Sequence, residues 1–194
     1  MEYEHANGNS TSPHLKGDHS FISDPADSTT LRIPTRALDI IWGNDPRYWD
    51  HIKLTQEDKQ LIGFEEGSVL LQVNWLVVTG KMAAVSLLSP AKTYTILYII
   101  KFRADAFGWH SAPIKFKVRV DGGQETHHTL LLEPYRLKQD MWHEVPGGDF
   151  TIDSNNTSGI IGSRSSGVEF GMFEVESDWW KGGMVLGGIK IKSK

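Results

Sequence analysis

The stretch Ile41-Trp42-Gly43-Asn44-Asp45-Pro46-Arg47-Tyr48-Trp49 holds two indoles, a phenol, an amide, a carboxylate and a guanidinium within nine residues. Pro46 fixes its own φ and pushes Asp45 toward extended geometry, so a loop is expected here. Loops run over protein surfaces, which predicts partial exposure of some of these aromatics. An exposed indole beside hydrogen-bonding side chains suits a pyranose. The C–H face of the sugar packs on the ring, while its hydroxyls need paired donors and acceptors. Trp42 and Trp49 are the candidate stacking residues; Asn44, Arg47 and Tyr48 are the candidate polar ones. The residue types equally allow Trp42 and Trp49 to plug the end of a β-sandwich, the commoner use of large aromatics.

A second cluster lies in Phe170 to Gly183, where Glu174, Glu176 and Asp178 precede Trp179, Trp180 and Lys181. In an extended segment Glu174 and Glu176 point to one side. With Phe173 and Val175 inward, both acids would lie on the outer face. They are then either a solvated strand edge or carboxylates that accept sugar hydroxyls. Acids near tryptophans also raise glycoside hydrolysis, which needs two carboxyls ~5–10 Å apart across a cleft, one of them protonated. No diagnostic catalytic motif accompanies them, and no enzyme is expected. There is no cysteine for a thiol nucleophile and no Gly-x-Ser-x-Gly elbow. His127 and His128 are adjacent, so in a strand they face opposite sides and do not share an ion. Neither a metal nor a cofactor is expected.

The elements that must position these groups read as strands. Ala37–Trp42, Val69–Thr79, Thr93–Phe102, Ile114–Val120, Glu125–Leu132, Met141–Val145, Val168–Val175 and Met184–Ile191 are short apolar or alternating runs separated by Gly, Pro, Asp and Asn. In Val69–Thr79, Leu71, Val73 and Trp75 share one alternating face. Asp121-Gly122-Gly123 predicts a hairpin over 114–132. Pro146-Gly147-Gly148 is expected to close the strand before it. Only residues 51–66 have the charge and spacing for a short helix. The expected fold is all-β: an antiparallel β-sandwich of jelly-roll type with at most a short helix.

The chain has 194 residues and a formal net charge of -4. Residues 1–30 alone carry that net charge, and the rest of the chain is balanced. Poor in apolar residues, 1–30 read as a disordered acidic tail, with the folded domain over 31–194. A neutral body lacks the concentrated basic face that engages phosphates, so nucleic acid is not an expected partner. The absence of cysteine and of a signal-peptide core points to a reducing, cytoplasmic setting. No run approaches a membrane span. An exposed sheet edge would allow a homodimer.

The order of motifs resembles the phloem lectin family of plants, the phloem protein two group, whose domain is shared with the jasmonate-inducible tobacco agglutinin. The matching pieces are Ile41 to Trp49, Leu70-Leu71-Gln72-Val73-Asn74-Trp75-Leu76, Gly108-Trp109, Trp142 before a Pro-Gly turn, Val168 to Glu174, and Trp180-Lys181-Gly182-Gly183. They cover about residues 35–192. The resemblance implies a β-sandwich lectin that binds N-acetylglucosamine (GlcNAc) oligomers of chitin type and, in some members, N-glycan cores. It implies sugar contacts from Trp42, Trp49 and Glu174. A second family glutamate falls on Gly167 here. The family also implies phloem sap as a setting, and an alternative role as a structural protein assembling with filament partners or RNA in sieve elements. The tobacco protein's Lys-rich nuclear-localisation run is not present. No F-box-like helical region precedes the motifs, so a ubiquitin-adaptor role is not expected.

Overall fold

The computed structural model describes residues 12–22, 30–83, 88–89, 91–152 and 167–194. Among these, the strands are β1 (Thr30–Ile33), β2 (Asp39–Ile40), β3 (Trp49–Lys53), β4 (Glu66–Leu70), β5 (Leu76–Ala83), β6 (Thr93–Phe107), β7 (Ile114–Val120), β8 (Thr126–Leu130), β9 (Trp142–Thr151), β10 (Gly167–Glu174) and β11 (Gly182–Ser193). They form two antiparallel sheets. One runs β3-β4-β11-β6-β9, with β1 also on β11; the other runs β2-β5-β10-β7-β8. The fold is therefore the expected antiparallel sandwich. Its interior is filled from both sheets: Ile96, Tyr98, Ile100 and Phe102 of β6 face Ile114, Phe116 and Val118 of β7 and Val168, Phe170 and Met172 of β10. The Tyr98 and Phe116 rings meet at 5.0 Å. Each such side chain contributes about 1.5–3 kcal/mol by leaving water.

Three boundaries differ from the sequence reading. The apolar run Val69–Thr79 is not one strand. It ends one sheet as β4, crosses the sandwich over residues 71–75, and opens the other sheet as β5. The apolar–polar pattern of residues 71–75 conceals such a crossing, because it reads as a continuation of the strand. Its alternation also breaks: Val73 is buried, but Trp75 is exposed. The strand at 142 runs on through Pro146 to Thr151. It is an edge strand, where a missing N–H leaves no neighbour unpaired. In 37–42 only Asp39–Ile40 is strand, followed by a turn.

The expected helix in 51–66 is α1 (Gln56–Ile62), preceded by β3, which the sequence reading missed. Thr55 caps α1 by accepting the Asp58 N–H, and Gly63 ends it at φ 77. The helix packs on the outer face of the first sheet. There Leu54, Ile62, Phe64 and Ile99 form a second small core. A second helix of one turn, α2, spans Glu133–Arg136. No helix of the described residues is long and apolar enough to cross a membrane.

Asp58 ties α1 to the sheet, accepting from Trp142 Nε1 at 2.8 Å and Lys101 Nζ at 3.2 Å. Burial works to raise its pKa, but the hydrogen bonds from Trp142 and Lys101 outweigh that and hold it below the ordinary carboxylate value. A carboxyl whose folded pKa is depressed contributes stability above its unfolded pKa. That contribution is lost as pH falls through the lower, folded value. Urea unfolding across acid pH is therefore expected to show a shallower pH dependence for Asp58→Asn than for the wild type. Equal slopes would remove Asp58 from the acid response.

Residues 12–22, expected as part of an unstructured tail, are docked on the domain. Leu15 exchanges backbone hydrogen bonds with Ile40 at 2.9 and 3.0 Å. Asp39 accepts the Gly17 N–H at 2.7 Å, and residues His19–Phe21 form a short 3-10 turn. Leu15 and Ile22 also pack against the main core, so apolar contacts and backbone hydrogen bonds together anchor this strap. The rest of 1–30, apart from Thr30, lies outside the described residues.

Candidate functional site

The candidate loop 41–48 sits at one end of the sandwich, between β2 and β3. Its shape comes from backbone bonds that wind it tightly: Asp45 N–H to Trp42 O, and the Tyr48 and Trp49 N–H groups to Asp45 O, each 3.0 Å. Arg47 donates to the Asp45 carboxylate through Nε at 3.0 Å and its terminal amino group at 2.7 Å. That hydrogen bonding lowers the Asp45 pKa. Arg47 also lies over the Tyr48 ring, 5.1 Å from its centre. Trp42 adopts φ 63, the left-handed region that a bulky side chain rarely enters. Its half-buried ring lies 5.8 Å from Tyr48 and 4.8 Å from His14.

The strap holds this loop from one side. The Trp42 N–H donates to His14 Nδ1 at 2.9 Å. The Asn44 amide donates to the carbonyls of Ser12 and His14, both at 3.1 Å. From the other side, His51 Nε2 meets the Gly43 carbonyl at 2.6 Å and its Nδ1 meets Ser68 Oγ at 2.8 Å. Asn44 and Arg47 thus already serve the loop itself.

Trp49 does not join the exposed group. It opens β3, and strand alternation turns its ring inward, where it is 2% exposed. In this conformation it is the sandwich plug that its residue type allowed, not a stacking surface.

Glu174 is also placed differently. The inward side of β10 carries Val168, Phe170, Met172 and then Glu174, so Phe173 faces out and the carboxylate faces in. Gly171 permits this, since a Cβ there would lie 2.7 Å from the Phe173 ring. Glu174 is 5% exposed and Lys181 is fully buried. Lys181 Nζ donates to Glu174 Oε2 at 2.7 Å and to the Trp179 carbonyl at 3.0 Å. Ser177 adds its N–H to Oε1 and its hydroxyl to Oε2, at 3.0 and 2.9 Å. With both oxygens engaged, Glu174 braces the turn after β10. Gly167, the position of the second family glutamate, starts β10 and is paired with Ala83.

The tryptophans that do stand in solvent are Trp75, Trp179 and Trp180. The sequence showed them as a cluster and as part of a strand. Their exposure was not legible, because it depends on the crossing at 71–75 and on the turn that Glu174 holds. Among the described residues no group of three or more His, Asp or Glu is placed to hold a metal ion.

The chain matches the family model described as phloem protein 2 over residues 28–193. PHLOEM PROTEIN 2-LIKE A2 of Arabidopsis thaliana is 33% identical over 125 residues, covering 63% of this chain and 58% of the relative. PHLOEM PROTEIN 2-LIKE A9 of the same plant is 26% identical over 184 residues, covering 90% and 93%. A protein named Lectin from Luffa acutangula is 26% identical over 169 residues, covering 87% and 73%. The chain spans only 36–64% of the length of four Arabidopsis relatives, one of them an F-box protein. Among solved structures, it is similar to a carbohydrate-binding module in complex with beta-1,4-galactotriose, with TM-score 0.42, 10% identity, and coverage of 81% and 87%. A xylan-binding module matches with TM-score 0.41, 8% identity, and coverage of 84% and 95%.

Proposed function

This chain belongs to the phloem protein 2 family, and from that premise we propose that it is a non-catalytic lectin that takes GlcNAc oligosaccharides of chitin type, or the cores of N-glycans, at the 41–48 loop. The observation that carries this reading is Trp42 at φ 63. A bulky residue persists in such a conformation only where its surroundings over-determine it, and such residues concentrate at functional sites. Here the strap, Asp45 and His51 supply the surroundings, and the result is a half-exposed indole beside Tyr48. The ring of Trp42 stacks on the sugar; Tyr48 and Arg47 meet its hydroxyls. The relative named Lectin supports carbohydrate as the class of ligand. Glu174 takes part through the turn it braces, with both its oxygens engaged by Lys181 and Ser177. A cytoplasmic or phloem-sap setting, and a homodimer, belong to the same reading.

Isothermal titration with chitotriose tests it. The wild type is expected to give saturable heat, and a folded sample silent at millimolar sugar would end the carbohydrate reading. Trp42→Ala is expected to weaken binding by about tenfold or more, the effect of losing one aromatic anchor. Trp49→Phe is expected to keep the affinity within about twofold, since a buried ring makes no sugar contact. A larger loss with Trp49→Phe than with Trp42→Ala would reverse the assignment.

A further inference from the structure

Three indoles stand half out of the protein at the same end of the sandwich: Trp75 is 51% exposed, Trp179 55% and Trp180 47%. Two chain segments carry them, 73–76 and 174–181. Each crosses from one sheet to the other, and the two are paired at both ends. Leu76 lies opposite Glu174 in the second sheet. Val73 and Lys181 exchange two backbone hydrogen bonds of 2.9 Å. All three tryptophans therefore belong to one closed frame.

That frame is held from beneath. Lys181 Nζ donates to the Trp179 carbonyl, and the fully buried Trp109 donates its Nε1 to the Gly182 carbonyl at 2.9 Å. The chain at Gly108 approaches so closely that a Cβ there would lie 2.0 Å from the Trp180 carbonyl oxygen. Large apolar rings left in water on a fixed backbone make a preorganised surface, one that binds without first being ordered.

The rim of the frame is polar. His110 meets Trp179 edge-on at 6.0 Å between ring centres. A neighbouring groove of about 420 Å³ is lined by Ser111, Lys115, Thr129, Glu176 and Ser177 among others. Glu176, paired with Lys115 at 3.3 Å, and Ser177 lie on the same segment as Trp179 and Trp180, so stacking and hydrogen-bonding groups stand next to each other, as a pyranose requires. On its other side the frame adjoins the loop of Trp42, where the Ile41 N–H donates to the Val77 carbonyl at 3.1 Å.

We propose that Trp75, Trp179 and Trp180 form a second sugar-stacking platform, so that the protein binds an oligosaccharide laid across this end of the sandwich, with Trp42 contacting one part of it and the platform another. This rests on the carbohydrate reading above and extends it from one ring to a chain of rings.

The test compares GlcNAc with chitotriose by calorimetry on the whole chain. In the wild type the trisaccharide is expected to bind at least about tenfold more tightly, as a second anchored contact provides. In Trp75→Ala and Trp179→Ala that ratio is expected to collapse toward one, with urea midpoints close to wild type because both rings lie at the surface. Trp179→Phe should restore part of the ratio. A ratio unchanged in the alanine variants, while Trp42→Ala weakens both sugars, would overturn the platform and leave the Trp42 site standing. A wild-type dimer that Trp75→Ala or Trp179→Ala converts to monomer would also overturn it, assigning the rings to a protein contact. A wild type that binds neither sugar would remove both readings together.

Discussion

Lys181→Met is expected to lower the free energy of unfolding by about 3–5 kcal/mol, the usual result of removing one member of a buried ion pair. The cause is what remains behind. Glu174, 5% exposed, would keep only its two bonds from Ser177. The Trp179 carbonyl would lose its partner as well. For a chain of this size the loss corresponds to a fall in melting temperature on the order of 10 °C. Urea unfolding of the single and double variants measures it. Lys181→Met combined with Glu174→Leu is expected to recover much of the loss, since no charge is then left uncompensated. A single variant within about 1 kcal/mol of wild type would mean that the pair does not brace the turn.

Trp109→Ala is expected to cost a similar amount, about 3–5 kcal/mol, from the lost packing and the cavity left behind. The ring is fully buried and lies 5.1 Å from Phe102. Trp109→Phe separates the two parts of that cost. It retains most of the packing but removes the donor to the Gly182 carbonyl, and a carbonyl left unsatisfied costs about 1–3 kcal/mol. If the phenylalanine variant proves as unstable as the alanine variant, packing is not the main contribution of Trp109. If it matches wild type, the hydrogen bond contributes nothing measurable.

Much of the framework is legible in the sequence. Ile114–Val120 alternates because one face of β7 meets the core and the other meets water, and the structure places it as read. Its return strand follows the Asp121-Gly122-Gly123 turn, with Ile114 opposite Leu130. What escaped was the topology at the loop end. Across the crossing Leu71, Val73 and Trp75 alternate with Gln72 and Asn74, as a strand would, so Val69–Thr79 resembles a single strand. Glu174 escaped for a related reason. Alternation says which residues share a face, but not which face is the core. Phe173 looked like the inward residue. Only the register against β5 and β7, with Lys181 waiting on the inner side, shows that the acid is the buried one. Trp42 and Trp49 sit in one motif, yet one opens a strand and the other occupies a turn. That division depends on where β3 begins, and pattern reading does not resolve a strand's first residue.

The strap has a consequence for comparing members of the family. Trp42 and Asn44 take their partners from Ser12 and His14, which precede the residues 28–193 that the family shares. Two chains with the same nine-residue motif can therefore present its indole differently. Transplanting the motif without residues 12–22 transfers the letters and not the shape. The shape of this loop is set partly outside the residues that the family model matches.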